Sequence, residues 1–484
     1  LLWFPSGIVM MYRSFPEVTP RDRLEHAAVL DAATIRLSPA EAVAKLDVDD
    51  PPTSARLMTF DDRPLYRFRR DGVERDVYAD TGEEKPDEVT PALMLRVAAQ
   101  WSGQPASSAS VQEVKEIDQW TVANFNRVAP VWKYSFPDGQ QVYVTENTAE
   151  VVQATTRASR TWAYFGAIPH WLYFTPLRKN GPTWSKVVIW TSGIGTASAI
   201  LGMVIGVWMY SPRKRYRHAG APTAIPYRGQ KRLHTIFGLV FGAAAVTWAF
   251  SGLLSMEPFP WPGQNAEAQA NGPALPQLRG RMRFDAFAAK DPREALAQLA
   301  PAKVKEIEFT GFAGAQMYLA TLAGGETRVV PLQGAPSTEF DRDRIVALIR
   351  RAAGEGGLAD VTMIDRYDRY YLDRTGEQPL PVIRARLNDS QQTQFYVDPK
   401  TARIVAGYRA GDWGERWLYH GLHSLNFPWL YNYRPLWDIV VITLLVGGTA
   451  LCVTSLILAW RVLGRKLKAM IPGSPPVVSE DLAS

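Results

Sequence analysis

PHWLYFTPLRKNGPTWSKVVIWTSGIGTA, residues 169–197, is answered 253 positions later by LHSLNFPWLYNYRPLWDIVVITLLVGGTA, residues 422–450. The shared offset pairs His170 with His423, Phe174 with Phe427, Pro182 with Pro435, Trp184 with Trp437 and Gly195-Thr196-Ala197 with Gly448-Thr449-Ala450. It reaches back to Tyr143 with Tyr396 and Val152 with Val405. Further upstream, Ile117-Asp118 matches Ile364-Asp365 at an offset of 247, and Trp3, Ser6, Gly7 and Met11 match Trp248, Ser251, Gly252 and Met256 at 245. Identity at a near-constant offset is the mark of an internal duplication. Each half then reads as apolar span, soluble segment, apolar span.

The 484 residues carry 46% apolar and 21% charged side chains, ordinary values for a globular protein, but the apolar residues are bunched. Val187–Tyr210, Leu233–Met256 and Leu436–Trp460 are almost free of charge. As helices rising about 1.5 Å per residue, each is long enough for the roughly 30 Å hydrocarbon core of a bilayer. Leu1–Met11 reads as the end of a further span that begins upstream, which makes four. Both halves start on the same side, so the repeats are parallel, related by an axis along the membrane normal. The expectation is a membrane four-helix bundle with two extracytoplasmic α+β domains, in which Gly193, Gly195, Gly202, Gly206, Gly447 and Gly448 allow close helix approach.

The net charge of +6 is concentrated beside the spans. Arg213, Lys214, Arg215, Arg217, Arg228, Lys231 and Arg232 crowd one loop without an acid, and Arg461, Arg465, Lys466 and Lys468 follow the last span. By the positive-inside rule both segments are cytoplasmic, and the charge is a topology signal and not a nucleic-acid footprint. The single cysteine, Cys452, excludes an intramolecular disulfide, a Cys-ligated iron–sulfur cluster and a Cys-rich zinc site. No dinucleotide fingerprint, phosphate loop, HExxH motif or Ser/His/Asp set is found.

Between the spans, local signals predict α+β folds. Ser38-Pro39-Ala40-Glu41 supplies an N-cap, an N1 proline and an acidic first turn. Strands are expected at Ala55–Phe60, Leu65–Arg69, Arg75–Ala79, Trp132–Phe136 and Gln141–Thr145, with a helix at Pro91–Trp101. The second half repeats this with helices at Pro292–Leu299 and Asp341–Ala353, and strands at Glu306–Thr310, Gln316–Thr321, Val382–Leu387 and Thr393–Val397. Gly263–Gly280 is expected to be a flexible connection. The division is span end 1–14, first soluble domain 15–165, interfacial segment and span 166–210, basic loop 211–232, span 233–257, second soluble domain 258–416, interfacial segment and span 417–463, and cytoplasmic tail 464–484.

The units ending in VYADTGE (Val77–Glu83) and FYVDPKTARIV (Phe395–Val405) resemble PepSY domains. With the spans KRLHTIFGLVFGAAAVTWAFSGLL (Lys231–Leu254) and HGLHSLNFPWLYNYRPLWDIVV (His420–Val441), nearly the whole chain resembles PepSY-associated transmembrane helix (PepSY-TM) proteins. Some members of that family are inner-membrane haem proteins that reduce ferric siderophores; others are known only as iron-regulated or peptidase-associated. The resemblance implies a bacterial inner membrane, PepSY-like domains in the periplasm, both termini in the cytoplasm and a b-type haem. It also implies transfer of electrons from an unidentified donor to a ferric siderophore or another ferric substrate.

Four of the six histidines lie at span ends. His170 and His423 occupy equivalent positions, so symmetry sets them on opposite sides of the axis, where they could ligate one haem iron. His234 begins a span near the cytoplasmic side, and an equivalent histidine upstream of Leu1 would complete a second haem. His420, three residues before His423, would share its helical face and serve as a substitute ligand or a propionate contact. Arg178 and Arg434 are candidate propionate partners. Trp171, Tyr173, Phe174, Trp417, Tyr419, Phe427 and Trp429 either stack on a macrocycle or form an interfacial aromatic belt. Asp438 is a candidate for proton movement, and the YDRYYLD cluster (Tyr367–Asp373) for ligand contact or packing. His26 and His218 carry no expected role. The contrasting expectation is a cofactor-free anchor displaying PepSY domains to inhibit or chaperone a peptidase; a transporter fits less well, because the spans lack interior ionisable residues.

Overall fold

The computed structural model describes residues 2–46, 50–86, 88–218, 220–259, 277–373 and 376–469. Most of the connection expected over Gly263–Gly280, and the tail beyond residue 469, lie outside them. The chain is mixed helical and α+β, and it divides into two units. One is drawn from Leu1–Phe15, Ala158–Gln264 and Asp412–Ser484, the other from Pro16–Arg157 and Asn265–Gly411.

The first unit is helical. Gly181–Met209, Gly229–Leu254 and Leu436–Leu467 are long and apolar enough to cross a membrane. Their large apolar side chains point outward, with Trp208 82% and Trp190 68% exposed. A helix that leaves such residues uncovered is built for an apolar solvent. The buried Thr196 hydroxyl bonds to the Ser192 carbonyl of its own preceding turn (2.8 Å), which pairs a polar group inside an apolar helix. The shorter Trp3–Met10 helix packs beside the last of the three.

Contacts in this unit recur at the repeat offsets. A Cβ on Gly448 would lie 2.4 Å from the Phe4 ring, and one on Gly195 would lie 4.0 Å from the Cβ of Ala249, the counterpart of Phe4. The Trp184 indole donates to the Trp171 carbonyl (2.8 Å), and the Trp437 indole donates to that of Ser424 (3.1 Å). Leu172 and Leu425 both adopt left-handed backbone, at φ 52° and 49°.

In the second unit the two soluble segments share one sheet. Strands β1 (Ser54–Phe60), β2 (Arg63–Arg70) and β3 (Val73–Tyr78) form a meander, as do β4 (Val304–Phe312), β5 (Ala315–Leu322) and β6 (Thr327–Pro331). β1 pairs with β4 antiparallel through Ala55↔Phe309, Arg56↔Glu308 and Leu57↔Ile307. The order is therefore β6-β5-β4-β1-β2-β3, with Arg279–Gly280 added beside β4. Arg56 and Glu308 are 252 residues apart, the spacing that also relates the hairpin turns Asp61-Asp62 and Ala313-Gly314, so the seam lies on a local two-fold. One core, including Leu57, Tyr66, Ile307, Phe309 and Tyr318, covers a face of this joint sheet.

Each half adds a helix and a four-stranded antiparallel sheet, Pro91–Ser102 in the first and Arg342–Ala353 in the second. The structure corrects one repeat match. Asp118 accepts the Tyr143 hydroxyl (2.7 Å) and the backbone N–H groups of Trp120 and Thr121. Asp368 accepts the Tyr396 hydroxyl (2.8 Å) and the N–H groups of Tyr370 and Tyr371. The counterpart of Asp118 is thus Asp368, at an offset of 250, and not Asp365. The YDRYYLD cluster is accordingly structural: Tyr371 is 1% exposed and stacks on Tyr396.

Candidate metal centre

His170 lies on the short helix Ala167–Trp171 and His423 on Leu422–Ser424. Each helix ends at one of the left-handed leucines, two residues past its histidine. The following tryptophan, at the start of a long helix, then holds a carbonyl one residue past the histidine. Left-handed leucine costs roughly 1–2 kcal/mol, so the indole bonds and packing stabilise a turn that leucine alone would not adopt.

This pair of turns brings the two imidazoles together, ring centroids 6.0 Å apart and planes at 72°. Two imidazoles that bind one metal from opposite sides, each nitrogen about 2 Å from it, have ring centres roughly 6 Å apart. His170 Nδ1 is 3.1 Å from the Ser6 hydroxyl, and His423 Nδ1 is 3.0 Å from that of Ser251. With Nδ1 engaged in both rings, Nε2 is the nitrogen left for a ligand. Burial pushes both imidazoles down, His170 to about 4 and His423 to about 3, so both are neutral at pH 7, the form that offers a lone pair. Among the described residues no three His, Cys, Asp or Glu side chains converge on a metal position. Two neutral imidazoles are a donor set that would suit an iron.

The backbone also comes close here. A Cβ on Gly7 would meet Leu445 at 3.3 Å and His170 Cε1 at 3.6 Å. The Tyr419 ring lies 5.4 Å from that of His423.

The other expected residues are placed differently. His420 sits in a π-helix, Glu415–Gly421. The i→i+5 bonding of that segment differs from the α-helix on which a shared face with His423 was expected. His420 Nε2 lies 3.9 Å from the Glu415 carboxylate. Arg434 binds Asp438 through Nε (2.7 Å) and stacks on Trp437, while Tyr12 donates to the other Asp438 oxygen (3.0 Å). Arg178 lies over Trp184 (4.6 Å), and its buried Nε has no hydrogen-bond partner among the described residues. Arg178 and Arg434 thus stack on equivalent tryptophans without being sequence equivalents.

His234 stands apart, 17 residues before Ser251 on one unbroken helix, a rise of about 25 Å. Its Nδ1 is 3.0 Å from the Thr454 hydroxyl. Sequence reasoning did not find the serine and threonine partners, although Ser6 and Ser251 were matched as repeat identities. Compared with models of protein families and with curated proteins, the chain matches none.

Proposed function

We propose that the chain is a membrane haem protein of the PepSY-TM kind, which passes electrons to an extracytoplasmic ferric acceptor, a ferric siderophore being the substrate class. The observation that carries this reading is the His170–His423 pair, 6.0 Å apart with both Nδ1 atoms engaged by hydroxyls. Haem b, when bound, supplies a one-electron iron couple. His170 and His423 would hold it, and Arg178 is the guanidinium available to a propionate. His234 would serve a second haem toward the cytoplasmic side, within a four-helix bundle completed by the Trp3–Met10 helix. The soluble unit would be periplasmic and PepSY-like, and would form the docking surface. Its acceptor releases iron on reduction because hard oxygen donors favour the ferric ion.

The test is a visible spectrum of the detergent-purified protein, oxidised and then dithionite-reduced, with haem counted per chain. A Soret band that shifts on reduction, with sharp low-spin visible bands, is the expected result. Replacing His170 or His423 by Ala should remove this outer haem, whereas His420→Ala should retain it. A colourless protein from cells supplied with haem precursor would sink the redox reading and favour a PepSY binding module.

A further inference from the structure

Three of the four histidines near the span ends, His170, His423 and His234, share one device. Each places Nδ1 within 3.0–3.1 Å of a hydroxyl oxygen belonging to Ser6, Ser251 or Thr454. Each of those hydroxyls also lies against carbonyls of its own preceding turn. Ser6 Oγ is 2.6 Å from the Leu2 carbonyl, Ser251 Oγ is 3.2 Å from that of Trp248, and Thr454 Oγ1 is 2.8 Å from that of Leu451 and 3.0 Å from that of Ala450.

A hydroxyl has one hydrogen and two lone pairs. Two oxygens 2.6 Å apart are held together only by a hydrogen between them, so the Ser6 proton belongs to Leu2. The Ser6 oxygen can then only accept, and the hydrogen on the 3.1 Å contact must come from His170 Nδ1. The same count holds for Thr454 and His234, where the Leu451 carbonyl, at 2.8 Å, lies nearer than the imidazole, at 3.0 Å. For Ser251 the helix carbonyl is the farther contact, and repeat equivalence with Ser6 assigns the same sense. Water does not compete, since Ser6, Ser251 and Thr454 are 2%, 0% and 4% exposed.

We infer that Ser6, Ser251 and Thr454 are positioning residues that hold His170, His423 and His234 in the tautomer with the proton on Nδ1 and a bare Nε2. An imidazole whose second nitrogen donates to a fixed oxygen is oriented and made more basic for a metal. The inference rests on the functional reading above only for what the bare nitrogen is for. The tautomers themselves are a property of the chain.

The test uses the full chain in detergent, haem-free and labelled with 15N-histidine, with ring-nitrogen shifts assigned by replacing each histidine with Gln. The three rings should each show a protonated Nδ1 and an unprotonated Nε2. Ser6→Ala, Ser251→Ala and Thr454→Val should each allow the Nε2-protonated form in their own histidine alone, and Ser→Thr should preserve the wild-type tautomer. A wild-type protein with Nε2 protonated in the assigned rings overturns the inference whether or not the serine and threonine variants fold, as do alanine variants that leave the shifts unchanged. On haem-loaded protein, Ser6→Ala should weaken retention of the haem by about tenfold or more and raise its reduction potential, which loss of packing alone would not do. A protein with these tautomers that takes up no haem sinks the functional reading and leaves the tautomer assignment standing.

Discussion

Asp80 shows how a single residue sets a pH response. Its carboxylate receives two hydrogen bonds from Arg63, Nε to Oδ2 and Nη2 to Oδ1, both 2.8 Å. These bonds hold Asp80 below its usual titration range. A carboxylate whose folded pKa lies below its unfolded one, about 3.9, contributes stability that is fully present above that value and is lost as the pH falls through the folded pKa. The pair is only partly screened, so its worth is about 1 kcal/mol. Arg63→Gln should therefore lower the melting temperature at pH 7, and the gap from wild type should narrow as the pH falls below about 3.9; a gap that stays equal across that range would rule the ion pair out. At this scale the sequence named residues well and partnerships poorly. His170 and His423 were legible because duplication repeats a residue type at a fixed spacing. Arg434 pairing with Asp438 and Asp118 corresponding to Asp368 were not, because both depend on where backbone turns and small insertions place side chains in space.

Among elements, the strands that sequence patterning missed share one property. Ser110–Val114, Val151–Thr155, Thr327–Pro331, Leu358–Ile364 and Arg403–Tyr408 all lie at the edge of a sheet. Ser110–Val114 and Leu358–Ile364 hardly bury a side chain, so they lack the apolar alternation by which a strand is read. The inner strands, buried and β-branched, were each foreseen. The helices of the first unit add a packing test. Gly448 accommodates the Phe4 ring where a Cβ would lie 2.4 Å from it, whereas a Cβ on its repeat counterpart Gly195 would meet Ala249 at an ordinary contact distance of 4.0 Å. Gly448→Val should destabilise by about 1–3 kcal/mol through overpacking, seen as a lower melting temperature in detergent. Phe4→Ala added to it should restore much of the loss, and Gly195→Ala should be nearly neutral. If Phe4→Ala gives no relief, the close approach of these two helices is not what Gly448 serves.

At the scale of the soluble unit, duplication has produced one sheet from two segments that are far apart in the chain. The segments were expected as two α+β domains, and each does carry its own helix, four-stranded sheet and satellite core. What no local pattern revealed is the β1–β4 seam. Either meander ends in a strand that would be an open edge if it stood alone, and open edges pair with whatever strand is offered. The counterpart strand, present at equal concentration in the same chain, is the natural partner, and Leu57 and Ile307, opposed in register and both fully buried, close the core across it. The two halves of that sheet should therefore melt together. Removing the Ile307 side chain beyond Cβ costs about 2–5 kcal/mol. If the seam couples the halves, Ile307→Ala shifts one calorimetric transition that contains the tryptophan and tyrosine signals of both segments. Two independently folded domains would instead give two transitions, of which only the one from the second segment moves. That second outcome would mean that the strand pairing adds little to the stability of either half.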